Sequence, residues 1–310
     1  MKNDRFISHL VRRLSWEDID EKYVENLVRI ARAEDIEGAG LKILPKLAQD
    51  ITTATLTPEA QITAHLMARR DMVVCGVKLV PIILKVYSEL SDGNVSFTPK
   101  ANDGDKLAKG DEIGVVEGSA RVILQAERIM LNFMQRLSGV ATSTADYVSA
   151  LGDSKTRVLD TRKTTPSLRV LEKYAFACGG GFNHRIGLFD RVMLKDNHLV
   201  AANAVTGEVL ANAVRLAKEK NPDVAIEVEV DSIEQIQPVL DADADVIMLD
   251  NFSYDELREA LDIIGDKAWT EASGGVTLDT ISTIGKIGPD FVSTAAPVHS
   301  GKWIDIGLDS

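Results

Sequence analysis

Cysteine is nearly absent: Cys75 and Cys178 are the only two in 310 residues, and they lie far apart. That excludes a disulfide scaffold, supplies no metal-ligand spacing and fits a reducing compartment. Aromatic residues make up only 5%, too few for a stacking platform that grips single-stranded nucleic acid. Basic residues are in deficit, with a formal net charge of -12, so a general nucleic-acid or anionic-membrane surface is not expected. Any anion must then be caught by a local basic pocket. Long apolar runs are missing too. The greasiest stretch, "MVVCGVKLVPIILKVY", is interrupted by Lys78 and Pro81 and is too short to span a bilayer. The opening "MKNDRFISHLVRRLSWEDIDEK" has no apolar core of the signal-peptide kind, so a cytoplasmic location is the expectation.

What is present is the balance of a globular enzyme, 45% hydrophobic and 26% charged. Residues 1 to about 30 carry helical spacing, and a glycine- and acid-rich loop follows. From Gln61 the chain alternates as a strand does, then turns helical through "KLVPIILKVYSEL". Glycine and aspartate turns in "DGDKLAKGDEIGVVEG" mark a small β-rich module. The stretch from Ala120 to Leu151 reads as a long helix bridging two domains, with a break near Ser138-Gly139.

Beyond residue 155 the rhythm changes. Six β-type runs, "TRVLD", "DRVMLK", "AIEVEV", "DVIMLD", "AWTEAS" and "DFVSTA", alternate with helical stretches. Such alternation implies parallel βα units, and this many in a row favours a barrel. The glycine fingerprint of a dinucleotide fold is missing after the first strand. The alternation therefore points to an α/β barrel domain over residues 128–300, preceded by a separate N-terminal domain over residues 1–127.

In a βα barrel the functional groups project from the C-terminal ends of the strands. There the sequence offers Arg162, Lys163, Lys195, Glu229, Asp250, Ser273, Gly274, Gly275 and Ser293, and the loop "CGGGFNHR" adds His184 and Arg185. Several cations, two carboxylates and glycine-rich backbone suit a small, highly charged anion that carries hydroxyls or a divalent metal. Singly, each has a plainer explanation: an Arg-Lys turn can be solvated, "GGG" can be a flexible loop, and His198 can cap a helix. Within "EVEVD" either Glu227 or Glu229 could be the functional acid. Cys178 reads as a packing residue. No Gly-x-Ser-x-Gly elbow, His-Glu-x-x-His, Walker loop or Cys-x-x-Cys occurs. The paired-acid signature of the commonest phosphoribosyltransferase class is missing as well.

The motifs "DTRKTTP", "LEKYA..CGGG.NHR.GL.D", "KDNH", "EVEVDS", "IMLDN", "EASGGV" and "DIGLD", in this order and spacing, resemble the quinolinate phosphoribosyltransferase family. The resemblance runs from about residue 25 to the C-terminus. It implies that quinolinate and phosphoribosyl pyrophosphate give nicotinate mononucleotide, pyrophosphate and carbon dioxide, with magnesium, in de novo NAD biosynthesis. It implies an open, incomplete α/β barrel over residues 128–300 with an N-terminal α/β sandwich over residues 1–127, to which the tail 301–310 would return. It also implies a homodimer whose sites are completed across the interface, with Arg128 reaching into the neighbouring site and higher assembly left open. By the same resemblance Arg162, Lys163, His184, Arg185 and Lys195 would hold substrate. Glu229 and Asp250 would bind ribose hydroxyls or the metal, and Lys163, Glu229 and Asp250 would be the catalytic residues. Backbone amides of Ser273 to Gly275, with those near Ala295, would hold the 5′-phosphate. Ala177 departs from the family's usual arginine, and Ser167 and Ala295 each depart from a glycine. Segment 36–49 is an insertion, and "LVAANAVTGEVLANA" is longer than usual. A divergent paralogue of the kind associated with molybdenum transport, acting on another acid or nucleotide, is the alternative, together with a non-catalytic anion-binding relative.

Overall fold

The alternation from Gln61 forms β1 (Gln61–Ala68), which buries Ala64, Leu66 and Ala68 and leaves the residues between them more exposed. In the computed structural model, which describes residues 2–90 and 93–310, β1 belongs to one of two compact units. That unit comprises residues 14–143, 166–180 and 301–310. After β2 (Met72–Val73) the helix Leu79–Ser88 buries seven of its ten residues, from Leu79 to Tyr87. Then come β3 (Val95–Pro99), β4 (Lys106–Leu107) and β5 (Glu112–Ser119). A four-stranded antiparallel sheet has β1 and β5 at its centre and β3 at one edge; β2 and β4 pair separately. Strand β3, in "NVSFTP", lies outside the expected β-rich module.

The helical spacing expected over residues 1 to about 30 is split. A short helix, Ile7–Leu10, ends before a capping box in which Ser15 and Asp18 bond reciprocally. Asp20 then caps a new helix, Glu21–Glu37, by accepting from the Lys22 N–H. That helix stops at Gly38, in left-handed backbone, and the insertion continues as an exposed stretch that includes Leu41, Ile43, Leu44 and Leu47. The expected break near Ser138-Gly139 does not occur either, because Ala120–Ala150 is one continuous helix. A side chain at Gly139 would put its Cβ 2.3 Å from the Lys302 carbonyl oxygen, so the glycine permits close packing. Ser138 Oγ accepts from the Cys75 N–H at 3.0 Å.

The second unit comprises residues 1–13, 144–165 and 181–300. Its strands are the six expected runs: β6 (Arg157–Leu159), β7 (Val192–Leu194), β8 (Ile226–Val230), β9 (Val246–Asp250), β10 (Trp269–Ser273) and β11 (Phe291–Ser293). They form one parallel sheet in the order β6-β11-β10-β9-β8-β7. β6 and β7 are its two edges, so the barrel is open. Phe182 adds one parallel bridge beside Leu159 on the outer side of β6. The last strand, β12 (Ile306–Asp309), pairs with β1 in the antiparallel sheet.

These units differ from the expected boundaries in three places. The division falls at 143/144, inside the long helix, and residues 166–180 belong with the antiparallel sheet. Residues 1–13 belong with the parallel sheet, because Phe6 and Leu10 pack with Leu159, Ala225, Val246 and Phe291 in one buried cluster. Arg13 reinforces this by lying over the Phe182 ring and donating to the Gly181 carbonyl.

Candidate active site

Strand alternation builds the site. Along β7 to β11, residues 193 and 195, 229, 248 and 250, 271 and 273, and 293 fall at alternate positions and line one pocket of about 370 Å3. Thr161, Arg162 and Lys163 join them from the loop after β6, and His184 and Arg185 from the loop before β7.

Asp160, fully buried at the end of β6, holds that second loop in place. It accepts from Asn183 Nδ2 and from the His184 N–H, each at 2.8 Å. The Arg185 N–H in turn donates to His184 Nδ1 at 2.7 Å, which leaves Nε2 as the ring's N–H. Nε2 lies 3.2 Å from Glu227 and 3.5 Å from Glu271. His184 therefore turns its polar edge toward an acid cluster and is not one more free cation.

That cluster was not foreseen beyond Glu227. Arg191 donates to Glu227 at 2.8 Å, with both side chains buried. Burial opposes ionisation of Glu227, but His184 and Arg191 outweigh it and hold its carboxyl well below the usual range. Glu271 has only the longer contact to His184, at 3.5 Å, among the described residues. Burial first, and the charge of Glu227 second, push its carboxyl well above the usual range, while the Ser293 hydroxyl, Arg191 and Lys195 work against the rise without cancelling it. Neither Glu271 oxygen makes a hydrogen bond of good geometry. His184, Glu227 and Glu271 bring ligand atoms within 4.8 Å of one another, but the Arg191 guanidinium already stands as the cation there.

Above the cluster, Lys195 is bonded to Glu229. Arg162, Lys163 and Arg185 form no ion pair among the described residues, and Arg162 Nε is buried without a hydrogen-bond partner. Arg185 is depressed from its ordinary value by burial and then by the charge of Arg162. Two guanidiniums that repel each other in a pocket are poised for an anion. Asp250 accepts from Asn251 at 2.7 Å. Gly274 and Gly275, with φ of 92° and 59°, turn the chain from β10 toward the helix Leu278–Ile287. They line a neighbouring hollow together with Ser273 and Thr280.

Four further residues that the sequence singled out stand apart from the pocket lining. Arg128 is exposed on the long helix, in the antiparallel-sheet unit. Ala295 caps the short helix Ala296–His299 with φ of -94°, ordinary backbone for an alanine. Ala177 lies in the last turn of Arg169–Cys178, again in the antiparallel-sheet unit. Ser167 is held at φ 67°, in the left-handed region where glycine is favoured.

Two family models cover most of the chain. The C-terminal domain of quinolinate phosphoribosyl transferase matches residues 140–309, and its N-terminal domain matches residues 50–138. The chain belongs to the quinolinate phosphoribosyltransferase family. A probable nicotinate-nucleotide pyrophosphorylase (carboxylating) of Bacillus subtilis is 39% identical over 84% of this chain and 87% of its own length. A mitochondrial quinolinate phosphoribosyltransferase (decarboxylating) of Nicotiana tabacum is 37% identical, covering 92% of this chain and 81% of its own. The solved nicotinate-nucleotide pyrophosphorylase of Francisella tularensis superposes with a TM-score of 0.84 at 37% identity, covering 94% and 97% of the two chains. Its likeness carries the two-sheet architecture. Among the described residues no helix is long and apolar enough to cross a membrane.

Proposed function

We infer that this chain transfers the phosphoribosyl group of phosphoribosyl pyrophosphate to quinolinate and removes one carboxylate. The products are nicotinate mononucleotide, pyrophosphate and carbon dioxide, on the de novo route to NAD. One observation carries the reading best: the pocket presents three cations, Arg162, Lys163 and Arg185, that form no ion pair among the described residues. Quinolinate is a planar dianion, and guanidinium forks suit its carboxylates.

The ring nitrogen attacks the anomeric carbon as pyrophosphate leaves, through an oxocarbenium-like state. Such a step needs positioning and charge stabilisation more than proton transfer. Glu229 and Asp250 are the carboxylates that favour the developing positive charge and hold ribose hydroxyls. Lys163 and Lys195 bind the leaving phosphates. The backbone of Ser273, Gly274 and Gly275, with that of Ala295, receives the 5′-phosphate. Ala295 stands in ordinary right-handed backbone, so its methyl adds no backbone strain to this loop.

Magnesium fits the donor set, since Glu229 and Asp250 supply hard oxygens in one pocket and the substrate's phosphates supply the rest. When bound it would neutralise charge on the pyrophosphate. The active form is a homodimer in which Arg128 serves the partner's site.

Replacing Arg162 with alanine tests the pocket assignment. Loss of a charge-assisted contact worth about 1.5–3 kcal/mol should raise the KM for quinolinate roughly 10- to 150-fold. An unchanged KM places the dicarboxylate elsewhere.

A further inference from the structure

We propose that Glu271 is the acid that protonates the pyridine carbon left bare when carbon dioxide departs. The proposal rests on the transfer and decarboxylation reading above. After the ring nitrogen has bonded to the ribose, the bond from C2 to its carboxylate breaks and the electron pair stays on C2. That carbanion must gain one proton before nicotinate mononucleotide can form. The O–H bond of Glu271 breaks as the C2–H bond forms, and the resulting carboxylate later recovers a proton from water. Charge and atoms balance with no further reagent.

The geometry singles out this residue among the groups that face the pocket. Arg162 and Arg185 are too weak as acids to release a proton readily. Lys195 is bonded to Glu229. The Nε2 proton of His184 is directed at Glu227. Glu271 is fully buried, lines the pocket, and has neither oxygen engaged in a hydrogen bond of good geometry. Its neighbour in register on β9 is Met248, and the next residue of β10 on the same face is Ser273. The other buried acid, Glu227, already carries the negative charge that Arg191 balances. A second anion there would be unbalanced, so Glu271 keeps its proton, in the same pocket that presents Arg162, Lys163 and Arg185. A neutral carboxylic acid also leaves the pocket's positive field intact, as an ionised one would not. Lys163 is the competing donor.

Glu271→Gln keeps the shape and removes the acid. Rapid-quench assays with quinolinate, phosphoribosyl pyrophosphate and magnesium should follow pyrophosphate and nicotinate mononucleotide separately. The expected result is a first turnover of pyrophosphate within a few-fold of the unsubstituted enzyme, with mononucleotide formation slowed roughly 100-fold or more. Quinolinate binding, measured by calorimetry, should stay within about two-fold, since general acid catalysis acts on the reacting carbon and not on affinity. Glu271→Asp should show the same split to a smaller degree, and serves if the glutamine variant does not fold. Pyrophosphate and mononucleotide slowing together, or neither slowing, overturns the proposal, and the second outcome assigns the proton to Lys163. The unsubstituted enzyme is the control: if it releases no carbon dioxide from these substrates, the reading of the function fails first and this step falls with it.

Discussion

Arg191 Nη1 lies 2.8 Å from Glu227 Oε2 inside the parallel-sheet unit, where both side chains are buried. Removing one partner of such a pair strands a charge away from water. Arg191→Met should cost about 3–5 kcal/mol of stability by denaturant unfolding. The pH dependence has a definite sign. Glu227 has a depressed folded-state pKa, so its contribution is present above the unfolded value of about 4.3 and is lost as pH falls through the folded value. The stability gap between the unsubstituted protein and Arg191→Met should therefore close in acid, below about pH 4. A gap that is constant from pH 3 to 7 contradicts the assignment.

Glu271 behaves in the opposite sense. Its folded-state pKa is raised, so it costs nothing below the unfolded value near about 4.3 and costs more stability as pH climbs toward the folded value. Glu271→Gln has no proton to retain, and should be more stable than the unsubstituted protein at neutral pH. The difference should widen by up to about 1.4 kcal/mol per pH unit as pH rises above the unfolded value, until the folded-state carboxyl itself ionises. Thermal unfolding at a series of pH values above about 5 measures it, and a difference that does not grow with pH means that Glu271 is ionised in the folded chain.

The departures from family pattern part ways. Ser167 sits at φ 67°, and its carbonyl accepts from the Tyr23 hydroxyl at 2.7 Å. Left-handed backbone costs an ordinary residue about 1–2 kcal/mol, partly offset by glycine's greater freedom when unfolded. Ser167→Gly should thus stabilise the protein by about 0.5–1 kcal/mol. Ala295 lies in right-handed backbone and gains no such relief. Ala295→Gly should leave the KM for phosphoribosyl pyrophosphate unchanged or higher. A lower KM would mean that the alanine methyl crowds the phosphate.

Much of this was legible in the chain, and the misses share a cause. All six parallel strands coincide with the apolar runs ending in polar residues, because period-two alternation and strand-end charge are written locally. Of the pocket residues, Arg162, Lys163, Lys195, Glu229, Asp250, Ser273 and Ser293 follow from the same rule. Arg191 and Glu271 escaped notice although Glu271 stands two residues before Ser273 on the same strand face. Sequence shows a charge but not whether it is buried, and only tertiary structure reveals that Arg191 pairs closely with Glu227 while Glu271 has only a longer contact to His184. Gly139 misled for a related reason. Glycine marks a helix break or a close approach equally well, and the Lys302 backbone that decides the matter is far away in sequence. Residues 4–10 show helical spacing, but their packing against Val246 and Phe291 depends on long-range contact.

Arg128 is exposed and outside the pocket lining, which fits service to a second subunit. Mixing an inactive Arg128→Ala chain with an inactive Lys195→Ala chain should regain activity, because a mixed dimer carries one intact site. Subunit exchange confirmed by mass, with no recovery of turnover, removes the shared-site arrangement.

The central claim is the reaction itself, and one assay addresses it most directly. Purified protein with magnesium, phosphoribosyl pyrophosphate and quinolinate labelled at the 2-carboxylate should release labelled carbon dioxide, pyrophosphate and nicotinate mononucleotide in equal amounts. Nicotinate should not substitute, because a pocket built for two carboxylates leaves cations unpaired when one is missing. No labelled carbon dioxide, from protein shown to be folded and dimeric, would contradict the account.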